Sequence, residues 1–396
     1  MKKLTSFVSA AGARRLLDAR ERVLAIEPPI LIMAATRAAA DEFALSLAAE
    51  KGATFGVTRS SVAELVSRLA VPALAKKGLT PTAPLSDEAV AARVADDLAN
   101  RKALDYFTPV ARMPGFPRAL SRTLGDLRLA DVAPDRLSGH TANDDLRALL
   151  ERAIEERLKA GAVDYATLLH TATTELQANR QLLADKTVVL LDIAIASKAE
   201  EAFAKAVIEA SKSAIATIPA GDVRTLESLG AKAPVAPVAS ASARAKDGEL
   251  RRDEPAALAR LQRYLFSPEP PPKGETDDSV VLFSAPGEGR EAIEIARRVL
   301  QEAARGVHFD QMAVLLRAPQ TYLGVLEHAL ERAGVPAWFH RGTRRPDPAG
   351  RALLALLACA DEELSARRFA EYVSLGQVPL SAAADADLWS PPADEL

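Results

Sequence analysis

The stretch Lys186-Thr-Val-Val-Leu-Leu-Asp192-Ile193-Ala-Ile195-Ala-Ser197 places a β-branched and apolar run ahead of one acid and a turn of small residues. A short apolar run closed by a turn is the pattern of a strand buried on both faces, as in a parallel sheet covered by helices. In nucleotide hydrolases such a strand commonly ends in two acids, one serving the metal and one the attacking water. Here Asp192 is followed by Ile193. The stretch therefore predicts an α/β fold with a nucleotide-type strand that lacks the acid for activating water.

The residues around it extend that pattern. Upstream come a strand at 4–10, an Arg-rich amphipathic helix at 11–25, a strand at 30–35 and a helix at 37–51. Short strands alternating with helices favour a parallel sheet. From about 86 to 181 helix follows helix, and Phe116, Leu120, Leu124 and Leu127 recur at helical spacing with Arg118 and Arg122 on the opposite face. The sheet pattern resumes with a strand at 188–192, a helix at 198–212 and a strand at 214–218 that leads to Asp222. A low-complexity stretch at 231–246, a helix at 255–265 and a Pro-rich run at 267–279 mark a linker and a boundary. A second α/β unit is then expected, with strands at 280–284, 312–316 and 335–339 and helices at 290–304 and 322–333. The organisation expected is a sheet domain from 1–85 and 182–230, a helical insertion at 86–181, a linker with one helix at 231–279, and a second, partial domain at 280–396.

Bulk properties narrow the classes. With 396 residues the chain has room for two or three domains, and 48% hydrophobic with 26% charged residues is the balance of a folded protein, not a disordered one. A formal net charge of −3 gives no global positive field, so any contact with nucleic acid must be local. Cys359 is the sole cysteine, which excludes a disulfide within the chain and a cysteine-only metal centre, and suits a reducing cytoplasm. Arg14, Arg15, Asp18 and Arg20 interrupt the N-terminal region too early for a signal sequence, and no run of about 18 uncharged apolar residues predicts a membrane span.

The chemistry expected of a phosphate-binding loop is missing. Such a loop needs glycines whose neighbouring amides cradle phosphates, a Lys for their charge and a Ser or Thr for magnesium. The first strand instead runs into Ser9-Ala-Ala-Gly12-Ala-Arg14-Arg15, where one glycine remains and the Lys and hydroxyl have no counterpart. Arg14 is a cation that could meet a phosphate there, and an ordinary strand-to-helix turn accounts for the segment as well. Asp192 has two readings, a vestigial magnesium carboxylate or a cap for the following turn. The histidines at 140, 170, 308, 328 and 340 show no ligand spacing, and no nucleophile elbow or Cys/His pair is present, so neither a catalytic nor a metal-ligating residue is assigned.

The order of these features resembles UvrD-like superfamily 1 helicases. Ala34-Ala-Thr36-Arg37 is similar to their strand-to-helix motif, Val163-Asp164-Tyr165-Ala-Thr-Leu168-Leu169 to their Asp-aromatic element, and Leu190-Leu-Asp192 and Ala220-Gly-Asp222 stand where two further motifs fall. Asp310-Gln-Met-Ala-Val-Leu-Leu-Arg317 resembles the opening of their second motor domain. Residues 113–120, 124–129 and 285–297 look like the AddB-type, RecC-like proteins of the PD-(D/E)XK nuclease family, in which a degenerate helicase region precedes a nuclease.

The resemblance implies a RecA-like sheet domain with a helical insertion, followed by the start of a second RecA-like domain. It implies a non-catalytic scaffold that binds or channels DNA in break repair beside an AddA-like helicase–nuclease partner. Gly12, Asp192 and Asp222 would be remnants of the nucleotide and magnesium site, and there is no Gln after Asp222 to sense a γ-phosphate. ATP with magnesium and an iron–sulfur cluster occur in the family, but their ligands have no counterpart among these residues. Thr36, Arg37 and Arg317 become candidates for DNA phosphates, Thr36 also being placed to cap a helix. Between 99 and 136 seven Lys or Arg stand against four Asp, with Tyr106, Phe107 and Phe116 interleaved, so Arg118 and Arg122 are DNA candidates on a face that a solvated helix would also explain. Arg344 and Arg345 form a second basic candidate. A working ATP-dependent helicase with an unusual nucleotide site, and an interaction module with no DNA role, are the alternatives.

Overall fold

The computed structural model describes residues 4–231, 256–265, 269–274, 277–339 and 348–375. Arg344, Arg345 and nearly all of the expected linker at 231–246 lie outside the described residues. The chain divides into two compact units, residues 1–280 and 281–396.

The first unit is built on five parallel strands, β1 (Leu4–Ser9), β2 (Ile30–Ala34), β3 (Val57–Ser61), β6 (Thr187–Leu191) and β7 (Ser213–Pro219), in the order β1-β7-β6-β2-β3. Two short strands, β4 (Thr80–Pro81) and β5 (Ala162–Val163), pair parallel to each other outside this sheet. β6 is buried along its whole length, and its pleat, with both faces covered, explains why Val188 to Leu191 are apolar at every position. Val189 and Leu191 face helices α1 (Gly12–Leu24) and α2 (Arg37–Lys51), in a core with Ile32, Ala34, Phe43 and Ile215. Val188 and Leu190 face the other way, into a larger core with α3 (Val62–Ala75), α7 (Tyr165–Ala178), α8 (Lys198–Ala210) and α9 (Val223–Leu229). Ser61 and Glu64 close a reciprocal capping box at the start of α3, which stops β3 and begins the helix within one residue.

Helices α4 (Pro84–Asn100), α5 (Phe116–Leu129) and α6 (Thr141–Lys159) form a core of their own around Val94, Leu98, Leu120, Leu124, Leu149 and Leu150. Leu120 and Leu124 point inward while Arg118 and Arg122 are exposed, as the helical spacing predicts. α7 belongs with the sheet, burying Leu168, Leu169, Ala172 and Leu176 beneath it.

A polar network ties the helical layer to α7. Asp164 caps α7, its Oδ1 accepting from the Thr167 N–H at 2.8 Å and hydroxyl at 2.6 Å. Its Oδ2 receives Arg128 Nε at 3.0 Å and lies 3.9 Å from Arg157 Nη1. Arg157, on α6, donates from Nε and Nη2 to Asp87 of α4 at 3.2 and 3.0 Å, and Thr82 Oγ1 donates to the same carboxylate at 3.1 Å. Asp164 therefore serves as a joint between α4, α5, α6 and α7. Burial pushes the Asp164 carboxyl up, but the Thr167 bonds and the Arg128 charge outweigh it and leave the group below the ordinary carboxylate value.

α10 (Ala256–Tyr264) completes the described helices of the first unit. The second unit holds α11 (Glu288–Ala304), α12 (Pro319–Arg332), α13 (Pro348–Asp361) and α14 (Ala366–Ser374). Ala292, Ala296, Leu326, Leu330 and Val335 form its core. The strands expected at 280–284, 312–316 and 335–339 do not form among the described residues. Each segment turns one apolar residue toward the helices, Phe283 over Arg298 and Leu316 and Phe339 into the core, and leaves another bare, with Leu282, Leu315 and Trp338 at 98%, 94% and 91% exposure. A parallel sheet is stable when both faces are covered, and here only one is.

Candidate functional site

In an open parallel sheet, ligands bind beyond the carboxyl ends of the strands, where adjacent strands send the chain to opposite faces. One such point lies between β2, whose chain leaves to α2, and β6, whose chain leaves to α8, and another between β1, whose chain leaves to α1, and β7, whose chain leaves to α9. The first brings Thr36 and Arg37 from one side and Asp192 from the other to the same end of the sheet. A cleft of about 450 Å³ between α1 and α2, lined by Leu16, Leu17, Phe43, Leu191 and Asp192, opens beside it.

Asp192 is filled from within. Arg15 donates from Nε to Oδ1 and from Nη2 to Oδ2, both at 2.7 Å, a bidentate pair with 10% of the Arg15 and 30% of the Asp192 side chain exposed. The third nitrogen, Nη1, donates to the carbonyls of Ser9 and Ala10 at 3.2 and 3.4 Å. One guanidinium thus joins the turn after β1 to the acid after β6. The cation that the sequence singled out, Arg14, is exposed. Its neighbour Arg15, about 100° round the helix, points inward.

Asp192 adopts φ +47°, a left-handed conformation that costs an L-residue about 1 kcal/mol or more. Its N–H donates to Thr217 Oγ1 at 2.9 Å and to the Thr217 carbonyl at 3.2 Å, so β7 fixes the conformation. Ile193 and Ile195 then pack against the core on the α8 side, and the Ile195 N–H donates to Thr225 Oγ1 at 2.8 Å. At position 193, where an acid would have to reach a water, an aliphatic side chain covers the core.

A magnesium nucleotide does not fit these residues. Both oxygens of the carboxylate that would attract the metal already accept from a cation, and the same guanidinium bonds the carbonyls of the turn before α1. Gly12 is the first residue of α1, and a Cβ added there would meet the Arg15 guanidinium at 3.6 Å, an ordinary contact. Gly12→Ala is therefore expected to be neutral or to stabilise by up to about 1 kcal/mol. A denaturation midpoint showing a loss above about 1 kcal/mol would mean that the glycine is required. Asp222 caps α9, accepting from the Thr225 N–H at 3.0 Å. Among the described residues no group of three or more His, Cys, Asp or Glu is placed to hold a metal ion.

The DNA candidates divide by how they are engaged. Thr36 caps α2 by accepting from the Ala39 N–H at 3.2 Å. Arg37 donates to Asp41 at 3.1 Å and lies 3.5 Å from Glu64, and the Asp41 bond holds its guanidinium above the ordinary value. Arg118, Arg122 and Arg317 are exposed and make no ion pair among the described residues. No family model matches the chain, and no curated protein matches it. No helix among the described residues is long and apolar enough to cross a membrane.

Sequence reasoning missed two groups. Arg15 was hidden in an Arg-rich helix, where only its step from Arg14 decides which of the two faces the sheet. Asp145, buried and accepting from the Asp105 and Phe107 N–H groups at 3.1 and 2.9 Å, lies in the polar run Asn143-Asp144-Asp145, where the inward position of Leu149 one turn later was the available signal.

Proposed function

We propose that the chain is a non-catalytic, helicase-like scaffold of AddB type, which binds or channels DNA in the cytoplasm during break processing beside an AddA-like helicase–nuclease partner. The first unit is taken as RecA-like, in keeping with its parallel sheet and its layers of helices on both faces. The observation that carries the proposal is the bidentate Arg15–Asp192 pair, which puts a side chain of the chain itself where a motor would exchange a nucleotide and its metal. Ile193, packed on the core, supports it, because no base is left to activate water.

The test is thermal unfolding with and without millimolar ATP and magnesium, together with nucleotide hydrolysis in the presence of single-stranded DNA. The expected result is an unchanged melting midpoint and no hydrolysis. A ligand at 100 times its Kd stabilises by about 2.7 kcal/mol, so a site that works would raise the midpoint by several degrees and overturn the proposal in favour of an active helicase.

A further inference from the structure

The second unit leaves more apolar surface bare than its size explains. Among the described residues it is about a third as long as the first unit, yet it exposes as many large apolar side chains. Single exposed leucines are ordinary on any surface, whereas a patch of them marks an interface.

Two faces account for the excess. The first is the outer side of the extended segments at 281–283, 312–316 and 335–339. Leu316 and Phe339 enter the core of α11 and α12, and Phe283 lies under the Arg298 guanidinium of α11 at 4.4 Å, so all three segments rest on one helix pair. Successive side chains of an extended segment point to opposite sides. Leu282, Leu315 and Trp338, each just before an inward residue, therefore turn away from that pair on a common side, where they are almost fully exposed. The second face is on α13. Ala352 to Ala360 carries no charge, and a helix that is apolar all round is one built to be buried all round. α13 buries Ala352, Ala355 and Cys359 and packs against α14, but Leu353, Leu354 and Leu357 are each more than half exposed. None of the described side chains of α13 and α14 enters the core of α11 and α12.

We propose that a second copy of this chain covers both faces, the α13 leucines of each copy lying on Leu282, Leu315 and Trp338 of the other. No charged residue falls within 281–283, 312–316, 335–339 or 352–360, so these faces offer nothing to a nucleic acid or to a charged protein surface. They suit each other. A chain that carries both halves of one contact meets its copy across a two-fold axis, each half used once, and the assembly closes as a dimer. The area is sufficient as well. At on the order of 100 Å² for a leucine and about 200 Å² for a tryptophan, the six bare side chains offer roughly 600 Å² per copy and about 1,200 Å² for the pair, which reaches the range of stable protein interfaces before any polar rim is added. The inference goes beyond the scaffold reading and does not depend on it.

The experiment is analytical ultracentrifugation of the full chain over a concentration series, with Trp338 emission followed in a Trp389→Phe background. The expected result is the mass of two chains at micromolar concentration, with emission moving to the blue as the dimer forms. Leu315→Lys and Leu357→Lys, at positions exposed in the single chain, should each raise the dissociation constant at least tenfold and hold the emission at its solvent-exposed position. Leu357→Ala, which keeps a strong helix former in α13, should raise it at least threefold. Leu85→Lys, at an exposed leucine of α4 in the first unit, should change it less than twofold. A monomer at every concentration overturns the proposal, and so does a dimer that either Leu315→Lys or Leu357→Lys leaves intact. Growth beyond two copies overturns it too, because the contact then does not close.

Discussion

Replacing Asp164 with Ala is expected to destabilise the first unit by about 4 kcal/mol, the largest single effect anticipated in this chain. The side chain of Arg157 is 7% exposed and shares its charge between Asp87 and Asp164, and Arg128 depends on Asp164 directly. Breaking a buried pair typically costs about 3–5 kcal/mol. Here Arg157 keeps its two bonds to Asp87, and Arg128, 28% exposed, keeps Thr167 Oγ1, so the low end of that range applies, and loss of the cap on α7 adds about 1 kcal/mol. Arg157 Nη1 already lacks a hydrogen-bond partner, so the network has no spare acceptor to absorb the change. The measurement is the urea midpoint at constant slope. Asp164→Asn, which keeps a competent cap but not the charge, should fall between the two.

The pH dependence follows from the sign of the shift. The folded Asp164 carboxyl lies below its unfolded value, so its contribution is complete above about pH 4 and is lost as pH falls through the folded value. The gap between native protein and Asp164→Asn should be constant near neutrality and close in acid. A gap that widened in acid would place the stabilising charge elsewhere.

Arg15→Ala should cost about 2–3 kcal/mol, less than a fully buried pair because 30% of the Asp192 side chain meets solvent. For a unit of this size that corresponds to a melting midpoint lower by about 5–10 °C. Arg15→Lys should recover little, since an ammonium cannot reproduce two parallel bonds to the carboxylate and a third to the Ser9 and Ala10 carbonyls. In a double-mutant cycle with Asp192→Ala the pair should show a coupling of about 1–2 kcal/mol. A coupling near zero would reduce the pair to a surface contact.

The strands and helices that bury apolar faces were legible in the sequence. The helix Arg37–Lys51 was expected within those bounds, and β6 and β7 lie within one residue of the expected strands, because Val189, Leu191, Ile215 and Ile218 leave little choice about what must be buried. β3 was not legible. Its sequence Val-Thr-Arg-Ser-Ser offers no apolar alternation, and it is a strand only because β2 supplies a parallel partner. In the second unit the error ran the other way. Residues 312–316 are apolar enough for a strand, but composition cannot report whether a second layer exists to cover Leu315. At the site, Asp192 as the single acid after β6, followed by Ile193, was readable. The partner of Asp192 was not, because bringing Arg15 to Asp192 across 177 residues of chain is a property of the folded sheet.

That pair also changes what the sheet responds to. A motor held together by nucleotide and metal has a stability that rises with the logarithm of their supply. A guanidinium tethered three residues beyond Gly12 is present at a fixed effective concentration, whatever the solution contains. On the scaffold reading proposed above, the end of the sheet that in a motor reports cellular energy status would be a constant, and the fold uncoupled from it.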